Sequence, residues 1–273
     1  MRETSALLPA ALPGGIAVFM TCFGIIRRVI CAVAFTAAVA GSPVAAQQSS
    51  AFSPQEQAAV KALVLQTIRE HPEIVVEALQ AIQARTEAEA AAKAREAVQK
   101  RNTDLVSDPN APVIGNPDGD VTVVEFFDYN CPYCKRAAPE VAKLIGQDTN
   151  LRMVMREWPI LGSDSEYAAR AALAARAQGK YKEYHDAMMR SPRANEATVR
   201  RVAAEIGLDP ERLADDMQDP LVAAHIEQSR RLAVDLGITG TPSFVIGETI
   251  VPGYVEHGEL ATIVAETRAS LRE

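Results

Sequence analysis

Cysteine is scarce in this 273-residue chain, which contains four, and aromatic residues make up only 5% of it. Two of the four, Cys22 and Cys31, fall early, in a segment with the character of a removable leader. The remaining pair, Cys131 and Cys134, is too small a set for a framework of structural disulfides. No apolar run reaches the roughly 20 residues that a transmembrane helix needs. With a net charge of -7, the composition argues against nucleic acid as a partner.

Residues 1–46 are predicted to be a secretory signal peptide. A pair of arginines precedes a short apolar stretch at residues 29–40, and small residues follow up to Ala46. This order is typical of signal peptides, so we expect cleavage after Ala46, with Met20 as a better-placed translation start than the first residue. Export combined with a pair of cysteines indicates an oxidising compartment, for which the bacterial periplasm is the natural candidate.

Residues 47–104 are predicted to form a helical N-terminal region, because the sequence from Phe52 onward is rich in Ala, Glu and Gln and contains no glycine. Ser53 and Glu56 supply the two ends of a capping box, and Pro72 separates two helices. The apolar stripes are too narrow to form a core alone, so we expect them to pack on the chain or on other subunits. The residues expected to be buried by the second helix are Ile74, Val75, Ala78, Leu79 and Ile82. Residues 85–101 are almost all alanine or charged residues. This composition predicts either a solvated stalk or a surface helix.

Residues 105–273 alternate strand and helix signals. The expected elements are strands at 121–127 and 151–156, a helix at 131–145, a block of helices at about 163–236, a hairpin around Gly247 and Glu248, and a final helix at 258–271. This order predicts an α/β protein with a thioredoxin-like fold, a helical insertion, and a preceding α-helical region.

The pair Cys131 and Cys134 encloses Pro132 and Tyr133 and directly follows an apolar strand. At a helix N-terminus, unpaired N–H groups and the helix dipole favour a thiolate at the first cysteine. We therefore predict that Cys131 is the nucleophile, that Cys134 resolves the mixed disulfide, and that Pro132 and Tyr133 tune the thiolate. The alternative is half of a zinc site, but a second Cys or His pair at metal spacing is missing, so we predict no metal and no organic cofactor.

These features together resemble the DsbA-like thiol-disulfide oxidoreductases over roughly residues 113–273. The resemblance rests on Glu125 with the two phenylalanines after it, on the Cys-Pro-Tyr-Cys motif, on the helical insertion, and on Thr241 with Pro242. The helical segment from Phe52 is similar to the N-terminal region of ScsC-like, copper-tolerance-associated members, some of which oligomerise through it. The resemblance thus implies a homo-oligomer through residues 52–104, unfolded or misoxidised exported proteins as clients, and a DsbB- or DsbD-like membrane redox partner.

Three more site predictions accompany the resemblance. Glu125 lies in an apolar strand six residues before Cys131, and burial would raise its pKa and let it take the proton of the resolving thiol, as an acid there does in the resembled family. The alternative is a solvated, edge-facing glutamate. For Thr241 and Pro242 the resemblance implies a cis peptide bond that leaves the preceding backbone free to pair with an extended client peptide.

The direction of exchange stays open at this point. Threonine before the proline is similar to disulfide isomerases, whereas the strong oxidases of this superfamily more often carry valine. The predicted function is an exported protein thiol-disulfide oxidoreductase, and one alternative is an oligomeric isomerase or reductase. Another is a periplasmic Cu(I)-binding protein, for which Met153, Met155, Met188 and Met189 are candidates, although methionines on strands and helices usually fill cores.

Overall fold

The computed structural model describes residues 52–272. The predicted signal peptide and the predicted start at Met20 lie outside the described residues. None of the helices in the described range is both long and apolar enough to cross a membrane. Within the described residues, the chain divides into two units between Ala62 and Leu63.

Two helices begin the described chain, α1 at Pro54–Glu70 and α2 at Glu73–Val106. The capping box forms as predicted, because the Ser53 N–H donates to Glu56 Oε2 at 2.7 Å and the Glu56 N–H donates to Ser53 Oγ at 3.3 Å. The break between the helices falls at His71 and Pro72, where the sequence places it.

The prediction that α2 buries its first apolar residues is wrong for the single chain. Leu79 and Ile82 are 61% and 63% exposed, and Ile74 and Val75 are exposed as well. The physical reason is that the buried residues of α2 begin only further along the helix, at Val98 and Leu105, where it packs against the sheet. The last part of the predicted stalk is therefore a surface helix on the core.

The sheet has five strands in the order β1-β3-β2-β4-β5. The strands are β1 Val113–Gly115, β2 Val121–Phe127, β3 Leu151–Glu157, β4 Ser243–Ile246 and β5 Thr249–Pro252. The pair β2 and β3 is parallel, with Val121 opposite Leu151 and Phe127 opposite Glu157, and the other pairs are antiparallel. Because both faces of β2 and β3 are covered, these strands have nearly continuous apolar sequences. The sequence prediction missed β1, which has only three residues.

Helices cover both faces of the sheet. They are α3 Pro132–Gln147, α4 Ser163–Ala177, α5 Tyr181–Arg190, α6 Glu196–Glu205, α7 Pro210–Asp216, α8 Pro220–Asp235 and α9 His257–Ser270. The insertion between β3 and β4 thus spans α4 to α8, close to the predicted 163–236. The sequence prediction missed α7, although Asp209 caps it by accepting the Arg212 N–H at 3.0 Å. The predicted fold class, thioredoxin-like with a helical insertion, is confirmed.

Candidate active site

The first cysteine lies at the start of a helix, at the end of the loop that follows the central strand. Cys131 is the N-cap of α3, with extended backbone, and Pro132 occupies the first helical position, where no N–H is needed. The Cys131 N–H donates to the Asp128 carbonyl at 3.1 Å. Both cysteines are free thiols and both are buried, with Cys131 6% exposed and Cys134 fully covered. The first sulfur is thus the one nearer to solvent.

The two sulfurs have opposite tendencies to ionise. The Cys134 thiol, helped by Thr241 and by the N–H groups of Cys134 and Tyr133, lowers the pKa of Cys131 to about 5, although burial opposes this. Burial is the main cause that raises the pKa of Cys134 above its ordinary value, and the neighbouring Glu125 adds to it. At neutral pH the pair therefore consists of one thiolate and one thiol, which is the arrangement that attacks a disulfide.

The structure places the predicted threonine against the first sulfur, and the predicted proline follows it in the chain. The Thr241–Pro242 peptide bond is cis. The Thr241 carbonyl oxygen lies 3.2 Å from Cys131 Sγ and accepts a hydrogen bond from this sulfur when it is protonated. The Pro242 carbonyl accepts the Gly253 N–H at 2.8 Å, which fixes the proline next to β5. Residues 110 positions apart in sequence thus meet at one sulfur.

Glu125 is buried in the central strand, so the alternative of a solvated, edge-facing glutamate is wrong. It is 2% exposed and lies opposite Met155 on β3 and Phe244 on β4. Burial raises its pKa to about 8, so the carboxyl holds a proton at neutral pH. Tyr133, in contrast, is 59% exposed, and it is its backbone N–H that acts on Cys131.

A second buried carboxyl was missed by the sequence prediction. Glu157 ends β3 on the same side of the sheet as Glu125, and its Oε1 accepts hydrogen bonds from Tyr129 at 3.0 Å and Tyr181 at 2.8 Å. Burial raises the pKa of Glu157 well above its ordinary value, and burial lowers the pKa of neighbouring His185 to about 4. An acid inside an apolar strand is the signal that identified Glu125, and it applies equally to Glu157.

Asp128 holds the loop that carries Cys131, and it too was missed. Its Oδ1 accepts the Ser165 hydroxyl at 2.7 Å and the Asn130 N–H at 2.7 Å. Its Oδ2 accepts the N–H groups of Ile160 and Leu161 at 2.8 and 2.9 Å. One carboxylate therefore ties this loop to the start of α4, which fixes the position of the first sulfur.

No group of three or more His, Cys, Asp or Glu residues suited to a metal ion occurs among residues 52–272. Met153, Met155 and Met188 are fully buried in the core next to the cysteines, and Met189 is 5% exposed. These methionines therefore act as core residues.

Comparison with known families identifies the class of the protein. Residues 122–265 match the family described as the DSBA-like thioredoxin domain. The chain therefore belongs to that family, whose general activity is thiol-disulfide oxidoreduction.

Two solved structures illustrate the likeness. A thioredoxin-like oxidoreductase from Silicibacter pomeroyi DSS-3 is 59% identical, with 61% of this chain and 97% of that chain covered and a TM-score of 0.60. A linker-deletion mutant of ScsC from Proteus mirabilis is 28% identical, with 81% of this chain and 99% of that chain covered and a TM-score of 0.59.

Among curated proteins, the similarity extends to part of much longer chains. A Na(+)/H(+) antiporter, NhaA 3, from Salinispora tropica is 32% identical over 169 residues, which are 60% of this chain and 26% of the antiporter. This chain thus spans about a quarter of the length of the first curated relatives that it matches.

Proposed function

We propose that the protein is an exported thiol-disulfide oxidoreductase that acts on the disulfides of folding proteins. The observation that carries this proposal is the position of Cys131. Its sulfur lies at a helix N-terminus, has a pKa lowered to about 5 by Cys134 and its neighbours, and is 3.2 Å from the Thr241 carbonyl. A thiolate with a buried partner thiol one turn away is equipped to attack a disulfide and then to be released.

The reaction has two exchange steps. The Cys131 thiolate attacks one sulfur of a client disulfide, a Cys131–client disulfide forms, and the other client sulfur leaves as a thiolate. Cys134 then loses its proton and attacks Cys131 Sγ, so that a Cys131–Cys134 disulfide forms and the second client thiolate leaves. The two client sulfurs take up two protons, and the client gains the two electrons that the dithiol loses. Oxidation of a client is the same sequence reversed.

Glu125 is proposed to relay the proton of Cys134 in the second step, taking it up when the carboxyl is ionised and then releasing it. Its burial and its electrostatic effect on Cys134 support this role, because a group with a pKa of about 8 exchanges protons readily near neutral pH. Thr241 and Pro242 are proposed to bind the client backbone beside the sulfur, with Pro132 and Tyr133 as further contacts.

The proposed domains are a signal peptide at residues 1–46, a helical oligomerisation region at 47–104, and the DsbA-like domain at 105–273. The basic and apolar pattern of the first segment supports export to the periplasm. Unfolded or misoxidised exported proteins are the proposed clients, and a DsbB- or DsbD-like membrane protein is the proposed redox partner.

Alkylation of Cys131 against pH tests the proposal directly. In a Cys134→Ala variant the partner thiol is lost, so the midpoint of the rate should rise from about 5 in the wild type. Cys131→Ser should abolish insulin reduction and RNase refolding, whereas Cys134→Ser should accumulate mixed disulfides with the client. If wild-type Cys131 reacts no faster at neutral pH than a cysteine in an unfolded peptide, the proposal is wrong.

A second candidate, an oligomeric isomerase or reductase, is favoured by the exposed apolar side chains of the N-terminal helices. Leu63 and Leu79 are 64% and 61% exposed, which is costly in water unless a partner covers them. Replacing both with lysine should convert the oligomer to monomer in sedimentation and lower RNase isomerisation more than insulin reduction. The matched control is Leu221→Lys, at a position that is 55% exposed elsewhere. A wild type that sediments as a monomer would remove this candidate.

A further inference from the structure

We propose that Arg136 and Tyr254 are positioning residues for the reactive sulfur, because they join α3 to the chain that carries Thr241. The inference rests on the proposed function and adds to it two residues that the sequence prediction missed. The guanidinium carbon of Arg136 lies 4.1 Å from the centroid of the Tyr254 ring. At this distance a cation is attracted to the face of an aromatic ring. Tyr254 belongs to the connecting loop, residues 253–256, between β5 and α9.

The connecting loop is fastened to α3 at a second point. Glu140 Oε2 accepts the N–H of His257, the first residue of α9, at 3.2 Å. Arg136 and Glu140 are four residues apart, so they lie on one side of α3. Between the two contacts, Val255 is 9% exposed in the core cluster that contains both cysteines. The loop is therefore held against the helix that begins next to Cys131.

The other end of the connecting loop reaches the residues beside the sulfur. The Gly253 N–H donates to the Pro242 carbonyl at 2.8 Å. The preceding carbonyl, that of Thr241, lies 3.2 Å from Cys131 Sγ. Gly253 has a φ of +81°, a conformation that glycine adopts without strain, and the chain turns there from β5 to Tyr254. The contacts thus form a closed path that leaves Cys131 along α3 and returns to its sulfur through Thr241.

The closed path matters for reactivity because Thr241 acts on the sulfur. The Cys134 thiol is the main group that lowers the pKa of Cys131, and a side-chain hydrogen bond with Thr241 adds to this effect. A hydrogen bond weakens steeply when its geometry is lost, so Thr241 has to be held in place. The pairing of β4 with β5 holds this segment from one side, and the connecting loop holds it from the side of α3.

Alkylation of Cys131 against pH in tyrosine variants tests the closed path. Tyr254→Leu removes the aromatic face without a change of charge, and the midpoint of the rate should rise by about half a pH unit from the wild-type value of about 5. The alkylation rate at pH 5 should then fall about twofold, while the rate at pH 8 should change little. Tyr254→Phe keeps the ring and should restore the wild-type midpoint. The matched control is Tyr167→Leu, because Tyr167 is partly buried against the same core cluster but lies beside Arg200.

Amide hydrogen exchange provides a readout that does not depend on the thiols. In Tyr254→Leu the Gly253 amide should exchange about tenfold faster, since its hydrogen bond to the Pro242 carbonyl opens more often. The amides of β2, in the middle of the sheet, should exchange at the wild-type rate. Exchange followed by NMR measures both.

Arg136→Met separates the stacking contact from the charge. In the Tyr254→Leu background it should add little to the midpoint, because the contact that it removes is already lost. An equal rise in both backgrounds would mean that the arginine acts through its charge, and would overturn the inference. If Tyr254→Leu loses its cooperative thermal transition, Arg136→Met replaces it, because Arg136 is exposed, and the exchange of the Gly253 amide becomes the deciding measurement.

The outcomes separate the inference from the proposed function. The inference requires both a raised midpoint and faster Gly253 exchange in Tyr254→Leu, so either change alone, or neither, would overturn it even if the wild type exchanges disulfides normally. Equal effects in Tyr167→Leu or in Tyr254→Phe would assign them to general loosening or to the hydroxyl and would also overturn it. Both changes in a protein that exchanges no client disulfide would support the closed path and overturn the proposed function.

Discussion

Both faces of the central sheet bury ionisable side chains. Only one face places a side chain of opposite charge beside the buried group. Arg156 and Glu157 are neighbours on β3, are 0% and 1% exposed, and point to opposite sides because side chains alternate along a strand. Arg156 Nη1 donates to Asp108 Oδ2 at 2.6 Å. Glu157 is bonded only to neutral tyrosine hydroxyls, on the face that also contains Glu125. The two side chains are therefore equally buried, but Arg156 has an oppositely charged partner and Glu157 has only neutral ones.

The difference determines which carboxyls hold protons. Burial acts to raise the pKa of Asp108, but the His225 ring, the Asn110 N–H and Arg156 together hold it below its ordinary value. No such group opposes burial at Glu125, whose pKa rises to about 8. One face thus has an ionised pair that ties elements together, and the other has neutral acids beside the dithiol. The carboxyls with raised pKa values therefore lie on the face that contains the two cysteines.

The largest expected effect comes from removing the cation of the paired face. Arg156→Met leaves the Asp108 carboxylate buried without its guanidinium partner, and the free energy of unfolding should fall by about 3–5 kcal/mol. Urea unfolding measures this loss. Adding Asp108→Asn to the same chain should restore a large part of the stability. If the double variant is as unstable as the single one, the cost arises from packing of the long side chain, and the electrostatic comparison fails.

Glu125→Gln should raise the free energy of unfolding, and the size of this increase should depend on pH. Because the folded pKa of about 8 lies above the ordinary 4.5, the wild type loses stability relative to the glutamine variant as the pH rises between these values. The loss should be about 1 kcal/mol per pH unit, and it should be absent below the ordinary value. Urea unfolding at several pH values, with Glu140→Gln as a control, measures it. A pH-independent difference would show that Glu125 has no raised pKa.

The smallest expected effect concerns the neutral cluster. Tyr181→Phe removes one of the two hydroxyl donors to Glu157 Oε1, and the Tyr129 hydroxyl remains bonded to the same atom. The free energy of unfolding should fall by about 1 kcal/mol. Tyr133→Phe is the control, because that side chain is 59% exposed. A loss as large as that of Arg156→Met would mean that Glu157 is ionised and depends on both tyrosines.

Local patterns predicted most of the fold and the reactive pair. The capping box at Ser53, the strand at 121–127 and the cysteines at a helix start are each encoded within a few residues, so one sequence suffices to find them. The two missed elements, β1 and α7, are three and seven residues long, too short for a periodic signal.

Long-range pairing could not be predicted in the same way. Asp108 and Arg156 are 48 residues apart, and Glu157 and its two tyrosines are separated by 28 and 24. Their roles depend on which charges the fold brings together, and no local spacing encodes that. The apolar stripe of α2 shows the same limit, because the side chains that the sequence predicts to be buried there are exposed in the single chain.

Two arginines of β3 also bind the last turn of α2. Arg156 donates to the carbonyls of Asp104 and Leu105, and Arg152 Nη1 donates to the Val106 carbonyl at 2.7 Å. These carbonyls have no partner within the helix itself. A mechanical load applied along α2 would therefore be transmitted through guanidinium groups into the strand beside the one that leads to Cys131. The end of α2 is thus attached to the sheet that positions the reactive cysteine.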